Sequence, residues 1–130
     1  MGTWCPNCMD ETAFLAPFYK KYKDKGVEII GLDFERINEF PKAQSNLRRL
    51  KKQFDIDYTL LYAGNADAKL RLDALPMLNR ILSFPTTIFI DRNNRVRKIH
   101  TGFSGPATGE HFEKWKDDFY NFIDQLIREK

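Results

Sequence analysis

Strand-like and helix-like segments alternate along this chain, and no other feature narrows its fold as far. Residues 27–34, "VEIIGLDF", are a β-rich run short enough for a buried strand. In residues 41–54 the apolar side chains Ala43, Leu47, Leu50 and Phe54 recur at steps of four, three and four, which is one face of a helix. Pro41 stands at a favoured first-turn position there, and Arg48, Arg49, Lys51 and Lys52 fill the opposite, solvated face. Residues 58–64, "YTLLYAG", read as a second strand, and residues 65–82 as one or two short helices interrupted at Pro76. Two further β-rich runs within residues 86–102 flank Arg92-Asn93-Asn94-Arg95 and predict a hairpin, because paired asparagines tolerate the positive φ of a tight turn. A last helix follows, with Thr108 as its expected N-cap and Glu110 in its first turn. Its apolar stripe runs through Phe112, Trp115, Phe119, Phe122, Ile123 and Leu126; such a stripe packs on a sheet more simply than it stacks on bases. The order predicts an α/β sandwich with an antiparallel hairpin at one edge of a mixed sheet.

Size and charge bound the function classes. A chain of 130 residues with 42% hydrophobic and 30% charged residues is one globular domain, taken here as residues 1–130. A net charge of +3, spread along the chain, gives no footprint for a nucleic-acid partner. No apolar run is long enough to cross a bilayer, and residues 1–15 carry neither the basic start nor the apolar stretch of a secretory signal.

Both cysteines lie in the opening "MGTWCPNCMDETAFL". Two cysteines spaced i, i+3 are no disulfide framework, and they supply only half of a four-ligand zinc site. The two histidines, His100 and His111, are eleven apart and out of ligand spacing, so no metal is expected. Redox chemistry is the sharper reading. Phe14, Leu15, Phe18, Tyr19 and Tyr22 give the following segment one apolar face of a helix, with Lys23, Lys25 and Gly26 as its stop. Pro17 is expected to bend that helix or leave one hydrogen bond unmade. The helix start presents unpaired N–H groups and the positive end of the dipole, both of which favour a thiolate. Cys5 is therefore expected at that end, facing solvent and nucleophilic, with Cys8 one turn on, on the same face and more shielded. Pro6 costs the first turn nothing, and Trp4 is expected to shield one side of the sulfurs.

"GTWCPNC", "GVEIIGLDF", "FPTTIFIDRNNRV" and the terminal amphipathic helix together resemble the thioredoxin superfamily, and within it the TlpA/ResA-type thiol–disulfide oxidoreductases. The resemblance covers nearly the whole chain and implies a thioredoxin-like three-layer sandwich. It makes Cys5 the nucleophile and Cys8 the resolving thiol, with the Cys5–Cys8 redox-active disulfide as the only redox group and no other cofactor. Pro85 matches the family's cis-proline, so that Phe84 and Pro85, with Trp4, Pro6 and Asn7, would face the substrate. Glu11 matches an acidic residue that tunes the thiols and relays protons; on the residues alone the preferred reading is an exposed first-turn glutamate favoured by the helix dipole, and the resemblance reverses that preference. The family often has proline where this chain has Ala13. The implied partners are disulfide-bearing protein substrates and an upstream thiol electron donor, in an extracytoplasmic, periplasmic or membrane-anchored setting.

The resemblance also implies a central strand immediately before the Cys-x-x-Cys, which this sequence lacks. The expectation is a C-terminal fragment of a longer protein, with exposed sheet edges that promote self-association. Two other functions compete. A thiol peroxidase on the same scaffold has Thr3 two residues before Cys5 in its favour, but the sequence places no arginine near the site. A non-catalytic binding module would make the thiols incidental.

Overall fold

The computed structural model describes residues 1–36, 39–67 and 84–129. The short helices expected over 65–82 fall mostly outside them. Helix α1 (Pro6–Tyr22) starts at the cysteine pair, runs on through Pro17 and ends in a single 3-10 turn (Lys23–Lys25). Gly26 closes that turn at φ 89°, a left-handed conformation that glycine adopts without strain. Pro17 and Ala13 are both on the exposed face, so the carbonyl that Pro17 cannot satisfy is left to water and the helix need not break.

Strand β1 (Ile30–Glu35) begins later than the β-rich run, because the Val27 N–H turns back to the Tyr22 carbonyl at the helix end. Helix α2 (Phe40–Phe54) carries Pro41 in its first turn and buries Ala43 and Leu50, with Arg48, Arg49, Lys51 and Lys52 exposed as expected. Strand β2 (Thr59–Asn65) returns parallel to β1. Strands β3 (Thr86–Ile90) and β4 (Val96–Thr101) form the antiparallel hairpin. In its turn Asn94 takes φ 62°, and the Asp91 carboxylate accepts from the N–H groups of Asn93 and Arg95. Helix α3 (Glu110–Arg128) follows. Its N-cap is Gly109 rather than Thr108, whose hydroxyl donates to the Gly105 carbonyl within a 3-10 turn, Pro106–Thr108.

One core cluster joins α1 to α3 and β3 through Phe18, Tyr22, Phe89, Phe119 and Ile123. A second joins α1 to α2 and the start of β2 through Ala16, Tyr19, Leu50, Ile56 and Tyr58. Helix α1 is thus gripped along two faces, which fixes the direction of its N-terminus. The expected single mixed sheet is not what the described strands form: β1–β2 and β3–β4 are separate two-stranded sheets, and neither is hydrogen-bonded to the other.

Candidate dithiol site

Gly2 to Cys5 make a turn, with the Cys5 N–H on the Gly2 carbonyl, that delivers Cys5 to the N-cap of α1. Cys5 has extended backbone (φ −102°, ψ 111°), and its Sγ accepts a hydrogen bond from the Cys8 N–H at 3.2 Å. A sulfur in this position takes the role usually filled by a serine or aspartate oxygen, and the exposed helix N–H groups stabilise negative charge on it. Both cysteines are free thiols. Cys8 is the more enclosed, at 1% exposed against 5% for Cys5, so the expected ranking holds. The expectation of a solvent-facing Cys5 does not: both sulfurs are buried. Burial, followed by the hydrogen bond with Cys5, pushes the Cys8 thiol up to about 12.

The start of β3 meets the start of α1. The Trp4 ring packs edge-on to Phe84, with centroids 5.2 Å apart, and its Nε1–H donates to the Phe34 carbonyl at 2.8 Å. That carbonyl lies so close that a Cβ on Gly2 would stand 2.7 Å from it, which leaves room only for glycine. The Phe84–Pro85 bond is cis, as the motif implies, and Pro85 is buried. The structure therefore brings Trp4, Cys5, Cys8, Glu11, Phe84 and Pro85 into one region. Pro6 and Asn7 are exposed on the first turn of α1.

Glu11, 7% exposed, is not the solvated first-turn glutamate that local sequence allows. Its Oε1 accepts from the Thr87 hydroxyl at 2.9 Å, whereas Oε2 has no hydrogen-bond partner among the described residues. Burial raises its carboxyl to about 7, and the Thr87 bond only partly offsets this. The native state then binds a proton that the unfolded chain has already released. Stability is fully present below about pH 4.5 and is lost as pH rises through 7, by at most about 3 kcal/mol. Glu11→Gln is expected to flatten that slope. Thermal unfolding between pH 5 and 8 checks it: the variant should gain on the parent as pH rises, and parallel profiles would refute the assignment.

Three residues of this region lie outside the sequence expectations. Asp33 and Glu35 are buried on one face of β1 at 0% and 2% exposed, although strand periodicity alone leaves that face unassigned. The Asp33 oxygens have no hydrogen-bond partner among the described residues; burial, then the neighbouring Glu35 carboxyl, pushes its pKa up. Glu35 Oε1 accepts from the Thr3 N–H and the Thr3 hydroxyl, which pins the approach to Cys5. Arg36 lays its guanidinium 3.9 Å over the Trp4 ring, so an arginine does reach this region. Acidic residues at alternate positions of a β-rich run, "LDFE", are the one signal that could have flagged Asp33 and Glu35.

Comparison with known proteins decides the family. The Redoxin family model matches residues 1–114. The chain belongs to the Redoxin family. Among curated relatives, the thiol-disulfide oxidoreductase ResA of Bacillus thuringiensis subsp. konkukian (strain 97-27) is 27% identical over 114 residues, which are 88% of this chain and 57% of the relative. ResA of Bacillus thuringiensis (strain Al Hakam) is 43% identical over 95 residues, 73% of this chain and 47% of the relative. The chain spans about half the length of the curated relatives it matches. A solved structure, described as a thiol:disulfide interchange protein DsbE from Chlorobium tepidum, covers 90% of this chain and 73% of its own, with TM-score 0.59 and 23% identity. At that identity the likeness speaks to the fold alone, which is thioredoxin-like and mixed α/β.

Proposed function

We propose that this Redoxin domain is a thiol–disulfide oxidoreductase that reduces protein disulfides through Cys5 and Cys8. The observation that carries the reading is the Cys8 N–H hydrogen bond to Cys5 Sγ at a helix N-terminus, with the buried Glu11 one turn further along. The Cys5 thiolate attacks one sulfur of a substrate disulfide, forming a mixed disulfide and releasing the other substrate sulfur as a thiolate, which takes up a proton. Cys8 then attacks Cys5 Sγ. The second substrate thiol leaves, the Cys5–Cys8 disulfide forms, and two electrons have passed to the substrate. A thiol held up to about 12 needs a base to make that second attack. Glu11, at about 7, can take the Cys8 proton at neutral pH and return it when the dithiol is regenerated. Trp4, Pro6, Asn7, Phe84 and Pro85 are the surface we assign to an extended substrate segment. An upstream thiol donor would reduce the spent disulfide. The TlpA/ResA resemblance supports an extracytoplasmic setting for the reaction; among the described residues no helix is long and apolar enough to cross a membrane.

Equilibration in defined thiol buffers, with the Cys5–Cys8 couple read by mass spectrometry, tests the direction of electron flow. A midpoint near the thioredoxin end, roughly −270 mV, is expected of a reductase. A value towards roughly −120 mV would mark an oxidant and reverse the scheme.

A peroxidase reading gains from Arg36, which sequence alone did not place at the site. It loses more from Thr3, whose hydroxyl is spent on Glu35 at 2.6 Å. Saturable consumption of hydrogen peroxide would revive it.

A further inference from the structure

Strand β1 ends beside the surface assigned to the substrate. Phe34 sets its ring 6.1 Å from that of Phe84. Two residues on, on the same side of the chain, Arg36 lays its guanidinium over the Trp4 ring. The carboxyl of Glu35, between them, is buried and spent on Thr3. An exposed positive charge therefore stands on the aromatic pair Trp4–Phe84, next to the cis-Pro85 that follows Phe84.

Neither of two structural roles accounts for this charge. Arg36 is not needed to hold Trp4, whose Nε1–H is bonded to the Phe34 carbonyl at 2.8 Å and whose ring already packs on Phe84. Nor does it complete an internal ion pair, because no carboxylate among the described residues pairs with it. Arg97 shows the contrast, with its guanidinium shared between Asp91 and Glu129. An indole under a guanidinium limits its motion and holds it ready, while the planar fork of N–H donors keeps the geometry that fits a carboxylate.

We propose that Arg36 is a specificity-determining residue. It pairs with an aspartate or glutamate close to the disulfide cysteine of the substrate, so that the domain selects disulfides set in acidic segments. The proposal rests on the thiol–disulfide reading above and adds the charge of the substrate to it. The ion pair forms on binding and is the same through both sulfur exchanges, so it acts on the affinity for substrate and leaves the limiting rate alone.

The probes are three synthetic peptides, each closed by one disulfide, with aspartate, asparagine or lysine on both sides of each cysteine. The reduced full chain is mixed with each in single turnover, and half-saturating concentration and limiting rate are read from the loss of free thiol. Half-saturation is expected about tenfold lower for the aspartate peptide than for the lysine peptide, with limiting rates alike. Salt at about 0.5 M should shrink the preference. Arg36→Gln should level the three peptides. Arg36→Glu should invert their order, which a loss of packing on Trp4 cannot do. Equal half-saturation for the three, a preference that survives in Arg36→Gln, or an Arg36→Glu chain that slows all three alike overturns the proposal. If no peptide is reduced, the reductase reading fails, and the same peptides with serine for cysteine still decide this one. Aspartate-selective NMR shifts of the Trp4 indole N–H, with Trp115 in the α1–α3 core unmoved, support it, and shifts without charge selection or no shift overturn it.

Discussion

Cys5→Ser is expected to lower disulfide-exchange activity by about a thousandfold or more, because it removes the only sulfur at the helix N-cap while leaving the cap itself in place. A serine oxygen can still accept from the Cys8 N–H, so α1 should start where it does now and the far-ultraviolet spectrum should not move. Cys8→Ser makes the complementary prediction. The first attack survives and resolution does not, so a mixed disulfide between Cys5 and the substrate should accumulate and be trapped for mass spectrometry. The two variants together separate chemistry from folding. Full activity in Cys5→Ser would remove the dithiol from the function and favour the binding-module reading. Loss of activity in Cys8→Ser without a trapped adduct would exchange the roles assigned to the two sulfurs.

What local pattern encodes was legible, and what distant segments decide together was not. The Asn93–Asn94 turn, the aromatic stripe of α3 and the basic outer face of α2 each depend on residues within a few positions of one another, and each was readable. The cysteine pair was readable because its i, i+3 spacing is itself the chemistry. Glu11 marks the boundary. Its neighbours in sequence allow an exposed glutamate, and its burial comes from elements such as β3, whose Thr87 hydroxyl reaches it from 76 residues away. The same holds for Arg36 over Trp4, and for the enclosure of Cys5 where β3 arrives at the start of α1. The shift of the last N-cap from Thr108 to Gly109 has another origin: the threonine hydroxyl, which as a cap would accept from a helix N–H, instead donates to the Gly105 carbonyl within the preceding turn. The separation of the two sheets could not be read from periodicity either, since periodicity assigns faces and is silent on which edges pair.

Phe18→Ala is expected to cost about 3–5 kcal/mol, a large part of the roughly 5–15 kcal/mol that holds a domain of this size together. Phe18 is 2% exposed and among the largest fully buried side chains. Its ring stacks on Tyr22 with centroids 4.4 Å apart and meets Phe119 edge-on at 4.9 Å, so one ring ties α1 both to its own last turn and to α3. Removing it leaves a void whose neighbours are large, rigid rings, which relax poorly into it. Phe40→Ala is the control: Phe40 is 54% exposed, and its loss should cost well under about 1 kcal/mol. Urea unfolding of both variants checks the pair, with the midpoint moving in the first and the slope unchanged in both. The consequence reaches the site, because α1 carries Cys5 and Cys8 at one end and Phe18 near the other. A Phe18→Ala protein that still folds should label faster at the buried Cys8 thiol, as α1 loosens against α3. A cost below about 1 kcal/mol would mean that the aromatic cluster does not anchor the helix. The direction of the dithiol would then have to be set by the α2 side of the core instead, through Ala16, Tyr19 and Leu50.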